Sequence, residues 1–238
     1  MKTDPVVYLV DDDHAEKQAL RCLLQAEAMT VHAFGTADEF LRAHDPLAPG
    51  CAVFDICLPG MDGLELQRAL LDSGSERFIV FVTGPCEVAA SVQAMKAGAV
   101  DFLLKPVHAS VFLAAVRNAL ARDEHARKVR AALGSIRCCL STLTLRERQV
   151  LRHVVDGRLN KQIAADLGIA EKTVKVHRAK AMEKMEAGSL AELVRKADAV
   201  GVGTLVEDRL DGAAAAPELR QAMVPARPAT LAYTGMAG

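Results

Sequence analysis

The feature that most constrains this chain is a fivefold alternation in its first half, in which a short apolar run is each time followed by a longer helical pattern. The runs are Val6–Val10, Thr30–Phe34, Cys51–Phe54, Phe78–Val82 and Val100–Leu103. They are strand-length and mostly apolar on both sides, so they read as strands with two buried faces. Helical patterns follow at His14–Ala28, from Thr36, and at Gly63–Leu71, Glu87–Ala97 and Ala109–Leu120. Thr36-Ala-Asp-Glu39 has the form of a capping box, whose hydroxyl and carboxylate satisfy N–H groups at a helix start. Strands buried on both faces and separated by helices imply a parallel sheet covered on each side. The expected class is α/β, a five-stranded, doubly wound, flavodoxin-like sheet in the order 2-1-3-4-5, reversing between strands one and three.

The second half carries only helical patterns. Thr144-Leu-Arg-Glu147 is another capping box, Gly157 stops that helix, and Asn160 is expected to cap a short helix ending at Gly168. A longer helix is expected over Glu171–Ala187, and Leu190, Leu193, Val194 and Ala197 mark a fourth. The organisation is therefore a first domain over 1–122, a linker over 123–140, an all-α four-helix domain over 141–200 and a tail over 201–238. The linker is expected to continue the preceding helix in part, with a break at Gly134. In the tail 17 of 38 residues are Gly, Ala or Pro, so it is expected to be disordered.

Composition narrows the function. Of the 238 residues, 51% are hydrophobic and 25% charged, which excludes a disordered chain, and there is no Trp for an aromatic stacking surface. No run approaches the ~18 apolar residues of a membrane span, and the start lacks a signal-peptide core. A cytoplasmic protein without a membrane partner is expected. The six Cys lack CxxC spacing and are expected to be reduced and mostly buried, forming neither disulfides nor a zinc site. The net charge of −1 hides an asymmetry: residues 1–122 hold 10 Lys and Arg against 16 Asp and Glu, whereas 141–200 hold 12 against 8. Only the second half suits nucleic acid.

Function in open parallel sheets gathers beyond the carboxyl ends of strands. There the sequence places Asp11-Asp12-Asp13, Asp55, Thr83-Gly84 and Lys105-Pro106. Crowded carboxylates raise one another's pKa unless a cation joins them, and an oxygen-only donor set suits Mg²⁺. Lys105 adds a second positive charge and Thr83 a neutral donor, an assembly suited to a phosphoryl group on one Asp.

The stretches VYLVDDD, FDICLPGMDG, VTG and AMKAGAVDFLLKP make residues 1–122 resemble the receiver domain of two-component response regulators. The resemblance implies that Asp55 accepts phosphate from a cognate histidine kinase. It implies Mg²⁺ ligation by Asp12 directly, by Asp11 through water, by Asp55 and by the Cys57 carbonyl. Lys105 would pair with the phosphoryl group while Thr83 and Phe102 act as switch residues, with Asp13 on the solvated rim. Phosphorylation would promote a homodimer around Ala90, Met95, Lys96, Val100 and Phe102.

In the basic half, Lys172, Lys175, Arg178, Lys180 and Lys184 lie on one helix with Val174, Ala181 and Met185 as its inward stripe. This pattern suits a helix lying in a major groove. LTLRERQVLRHVVDGRLNKQIAADLGIAEKTVKVHRAKAMEKM resembles the LuxR-type helix-turn-helix domain. Both halves together are identified as a member of the NarL/FixJ family of transcriptional regulators. This implies that Lys175, Val176 and Arg178 approach bases of promoter DNA, and that Lys161, Lys172, Thr173, His177 and Lys180 meet its backbone. The helix from Leu190 would pair DNA-bound subunits, and RNA polymerase would be a further partner. Two departures stand out. Ala170 replaces the family's usual capping Ser, and Cys57 and Pro85 flank the path of a hydrolytic water without a strong acceptor, which predicts slow self-dephosphorylation. The expected role is regulatory, not enzymatic. An aspartyl-phosphate hydrolase would want an acid where Cys57 stands and would leave the helix-turn-helix idle. A regulator indifferent to phosphorylation would leave the acid set idle.

Overall fold

The computed structural model describes residues 4–84 and 88–202, excluding the side chains of 88–90. Pro85, Glu87, the Ala90 side chain and nearly all of the 201–238 tail therefore lie outside the described residues.

The five apolar runs form strands β1 (Val6–Val10), β2 (Thr30–Phe34), β3 (Gly50–Phe54), β4 (Phe78–Thr83) and β5 (Asp101–Leu104). All pairings are parallel and the order is β2-β1-β3-β4-β5. The period-2 alternation of a strand divides them between two cores. Val7, Leu9, Val53, Val80 and Val82 pack on helices α1 (His14–Ala26) and α5 (Ala109–Ser141), meeting Leu20, Leu24, Phe112 and Val116. Tyr8, Val10, Phe54, Ile79 and Phe81 face α2 (Ala37–Ala43), α3 (Gly63–Asp72) and α4 (Val88–Lys96), against Phe40, Leu66, Leu70 and Ala94.

Two glycines are required by this packing. At Gly50 φ is 140°, and a Cβ there would lie 1.9 Å from the Val6 carbonyl oxygen. At Gly63 a Cβ would come within 2.2 Å of the Asp55 carbonyl oxygen, so only glycine lets α3 start against the end of β3.

The second half folds into α6 (Leu145–Val155), α7 (Asn160–Leu167), α8 (Glu171–Lys184) and α9 (Leu190–Ala199) around Val150, Leu151, Ile163, Val174, Ala181, Met185 and Leu193. The expected inward stripe of α8 is buried.

Several boundaries differ from the sequence reading. Helix α5 does not stop near Leu120 or break at Gly134; it runs unbroken for 33 residues through the expected linker, about 50 Å at 1.5 Å per residue. Its middle is fastened to the first domain. The buried Asp123 carboxylate accepts from Gly50 N–H at 2.9 Å, Arg127 donates to the Leu47 carbonyl at 2.8 Å, and Arg130 pairs with Glu76. Its last turns insert Ile136, Cys139 and Leu140 into the second core. Anchored on both sides of Gly134, the helix offsets the roughly 1 kcal/mol that a mid-helix glycine costs.

Asn160 does not cap α7. Leu159 holds the N-cap position, its N–H donating to Gln162 Oε1 at 2.8 Å, and Asn160 is the first helical residue. Helix α8 ends at Lys184 rather than Ala187, because Glu186 turns left-handed at φ 50°. The Cys residues are also less buried than expected: Cys22, Cys57 and Cys138 are exposed, and among those described only Cys51 is fully buried. Burial pushes its thiol up to about 12. Cys22 and Cys138 sit on outward helix faces, a direction that local apolar content does not encode.

Candidate functional site

The rim beyond β1, β3, β4 and β5 gathers the residues expected there. Lys105 Nζ lies 2.6 Å from Asp55 Oδ2 and 3.0 Å from Asp11 Oδ2. The peptide bond that follows, Lys105-Pro106, is cis. Asp11 and Asp55 are buried whereas Asp12 is exposed, and carboxylate oxygens of all three lie within 4.8 Å of one another. Burial raises the Asp11 pKa, with the Lys105 hydrogen bond working against it. Burial disfavours the Lys105 ammonium, but its bonds to Asp55, Glu16 and Asp11 outweigh this and hold its pKa above the usual lysine range.

The backbone explains the convergence. Asp11 N–H bonds to the Phe34 carbonyl and Asp55 N–H to the Val10 carbonyl, so two adjacent strand ends deliver both acids. Lys105 N–H bonds to the Thr83 carbonyl at 2.8 Å, which ties the lysine to the end of β4, and Thr83 itself is fully buried. Cys57 donates its backbone N–H to Asp55 Oδ1 at 3.2 Å, closing the turn after β3. Asp13 is the N-cap of α1, accepting from Ala15 and Glu16 N–H; those bonds hold its carboxyl below the usual carboxylate range. Phe102 is half-buried, its ring 6.4 Å from that of Phe81.

Two groups at this rim escape sequence reading. Glu16, in the first turn of α1, places Oε2 2.5 Å from Lys105 Nζ, and Lys17 Nζ donates to the Asp11 carbonyl at 2.7 Å. In sequence, Glu16 reads as an ordinary first-turn acid favoured by the helix dipole. Val100, expected at a dimer surface, is buried in the sheet core, whereas Met95 is 47% exposed. The apolar neighbours of Val100 enclose its side chain, which leaves little of it to offer a partner.

On α8, Lys172, Thr173, Lys175, Val176 and Lys180 are exposed, as is Lys161 on α7. Lys175 pairs with Glu171 at 3.4 Å. Arg178 is half-buried and donates to Asn160 Oδ1 at 3.1 Å, bracing α7 against α8. His177 is half-buried, with Nδ1 enclosed against the domain. Lys184 turns inward to Glu147 at 2.7 Å. Ala170 is the N-cap of α8 and offers no side-chain acceptor to the first turn.

Comparison with known proteins identifies both domains. The family profile "Response regulator receiver domain" matches residues 7–117, and "Bacterial regulatory proteins, luxR family" matches residues 141–197. Nodulation protein W of Bradyrhizobium diazoefficiens is 39% identical over 84% of this chain and 88% of its own length. Transcriptional regulatory protein FixJ of Azorhizobium caulinodans is 42% identical over 82% and 93%. Among solved structures, the response regulator StyR superposes with a TM-score of 0.76 at 41% identity, over 82% of this chain and 99% of its own. Full-length FixJ from B. japonicum gives 0.53 at 39%, over 84% and 98%. Fold, rim and matches together define a two-component response regulator that joins a receiver domain to a LuxR-type DNA-binding domain. The chain belongs to the NarL/FixJ family of such transcriptional regulators. Among the described residues, no helix is long and apolar enough to cross a membrane.

Proposed function

We propose that this cytoplasmic regulator is switched by phosphorylation of Asp55 by a cognate histidine kinase, and that the phosphorylated form dimerises and binds promoter DNA. The observation that carries the reading is the Lys105 ammonium held 2.6 Å from Asp55 and 3.0 Å from Asp11, on a rim that also carries Asp12. One carboxylate is thereby presented beside a fixed cation that can receive the charge of an incoming phosphoryl group. In this reading the receiver occupies 1–122, a connecting segment 123–140 and the DNA-binding domain 141–200.

The donor set fits Mg²⁺. Three carboxylates lie within 4.8 Å of one another, Lys105 pairs with Asp11 and Asp55, and that excess of hard oxygen donors calls for a small divalent ion. Asp11, Asp12, Asp55 and the Cys57 carbonyl would hold it. When bound, Mg²⁺ neutralises charge on the transferred phosphoryl oxygens. The Asp55 carboxylate oxygen attacks phosphorus, the donor's leaving group departs with the electron pair of the broken bond, and the Lys105 ammonium pairs with the phosphoryl oxygens now carried on Asp55. Thr83 and Phe102 carry the change to the α4–β5 face, where Met95 and Lys96 serve the dimer.

DNA recognition belongs to α8. Lys175, Val176 and Arg178 are assigned to bases, and Lys161, Lys172, Thr173, His177 and Lys180 to the phosphate backbone. The exposure of Lys161, Lys172, Lys175 and Lys180 supports this assignment. Arg178 would have to share or leave Asn160 to reach a base. The test is phosphate transfer from labelled acetyl phosphate with and without Mg²⁺, in wild type and Asp55→Ala. Label should appear only in wild type with Mg²⁺, and equal labelling of the variant would refute the assignment.

A further inference from the structure

Lys105 has three N–H donors, and three carboxylates lie within bonding distance of its nitrogen: Asp55 at 2.6 Å, Asp11 at 3.0 Å and Glu16 at 2.5 Å. The first two come from strand ends and belong to the phosphoacceptor rim. The third comes from α1 and has a half-exposed side chain, 43% accessible against 7% for Asp55. An ammonium shared three ways has no donor to spare. A phosphoryl group arriving on Asp55 must therefore displace one partner, and the exposed carboxylate on a helix is the one free to swing into water. Until it leaves, Glu16 also adds a negative charge beside the path of an anionic donor.

We propose that Glu16 is a positioning residue for phosphoryl transfer, which holds the Lys105 ammonium over Asp55 in the resting state and competes with the incoming phosphoryl group for it. The proposal rests on Asp55 being the phosphoacceptor. Glu16 touches neither the phosphorus nor the attacking oxygen; it acts through Lys105 and through its charge. In the resting protein its carboxylate keeps the lysine aimed. During transfer that same charge slows dianionic donors more than donors of lower charge. Removing the charge should therefore speed transfer in proportion to the donor's charge. One unit charge a few ångströms from the reacting group, at the high effective dielectric of a rim site, is worth about three- to tenfold in rate.

The variants are Glu16→Gln, which keeps an acceptor but not the charge, Glu16→Ala, which removes both, and Glu16→Asp, which keeps the charge. The full-length protein with Mg²⁺ is given acetyl phosphate, a dianion, or phosphoramidate, of lower net charge, at two salt concentrations. Glu16→Gln and Glu16→Ala should react with acetyl phosphate about three- to tenfold faster than wild type and gain clearly less with phosphoramidate. The gain should shrink at high salt, and Glu16→Asp should stay near the wild-type rate. Unchanged melting temperatures would exclude a folding effect, which an exposed site makes the expected result. If wild type is labelled at Asp55 but the Gln and Ala variants match it with both donors, or gain equally with both, the role of Glu16 is overturned while the phosphoacceptor assignment stands. If wild type itself takes no label at Asp55, that assignment falls and the role of Glu16 with it.

Discussion

Glu147 illustrates how one side chain can serve two levels of structure. It closes the capping box of α6 by accepting from Thr144 N–H at 2.9 Å, and it ties α6 to α8 by accepting from Lys184 Nζ at 2.7 Å. The Lys184 bond first, then the Thr144 N–H, bring its pKa down from 4.5 to about 2. A carboxyl whose folded pKa lies below its unfolded value stabilises the fold fully above the unfolded pKa and loses that contribution as pH falls toward the folded one. Lys184 is one-third exposed, so solvent screening discounts the gain to about 1–2 kcal/mol. Glu147→Gln should therefore lower the stability of the DNA-binding domain at pH 7, and the gap should narrow as pH drops from 4.5 toward 2. Denaturant melts across that range check it, and a gap independent of pH would contradict the account. The capping box was legible in sequence, whereas the commitment of Lys184 was not. Five basic residues on one helix look alike until the packing of α6 decides which one turns inward.

Among elements, α5 departs most from the sequence reading. Its first turns, over Ala109–Leu120, follow an amphipathic pattern, but residues 122–135 are largely exposed and show no apolar stripe that would mark a helix. What keeps them helical is tertiary: Asp123 and Arg127 bind the first domain, and Ile136, Cys139 and Leu140 bury in the second. A local rule that reads Gly134 as a break cannot see those anchors. Because Gly134 is helical and a Cβ there would meet nothing within 4 Å, Gly134→Ala should stabilise the protein by about 0.5–1 kcal/mol. A melting temperature lowered by that change would mean the segment is not helical. The start of α8 gives a second test. Ala170 sits at the N-cap with extended dihedrals that a serine also adopts. Ala170→Ser should supply the missing acceptor and add about 0.5–2 kcal/mol, read as a higher melting temperature for the second domain. No rise would mean the first-turn N–H groups already have partners of equal worth.

Across the whole molecule, an acidic receiver domain and a basic LuxR-type DNA-binding domain share a single long helix. The strands, their order and the main rim residues were legible because apolar runs and strand-end acids are local signals that a parallel sheet must bring together. The contact of Glu16 with Lys105 was not, because no local signal pairs a first-turn acid of α1 with a lysine that follows β5. Helix α5 meets both hydrophobic cores, a connection through which the state of the receiver can reach the DNA-binding domain. In the proposed function, phosphate on Asp55 governs DNA occupancy. The most direct test is a footprint of the full-length protein on fragmented genomic DNA, treated with acetyl phosphate and Mg²⁺, in wild type and Asp55→Ala. Wild type should show phosphodonor-dependent occupancy at a defined set of promoters, and Asp55→Ala should lose it. Equal footprints for the two proteins would contradict the proposed function.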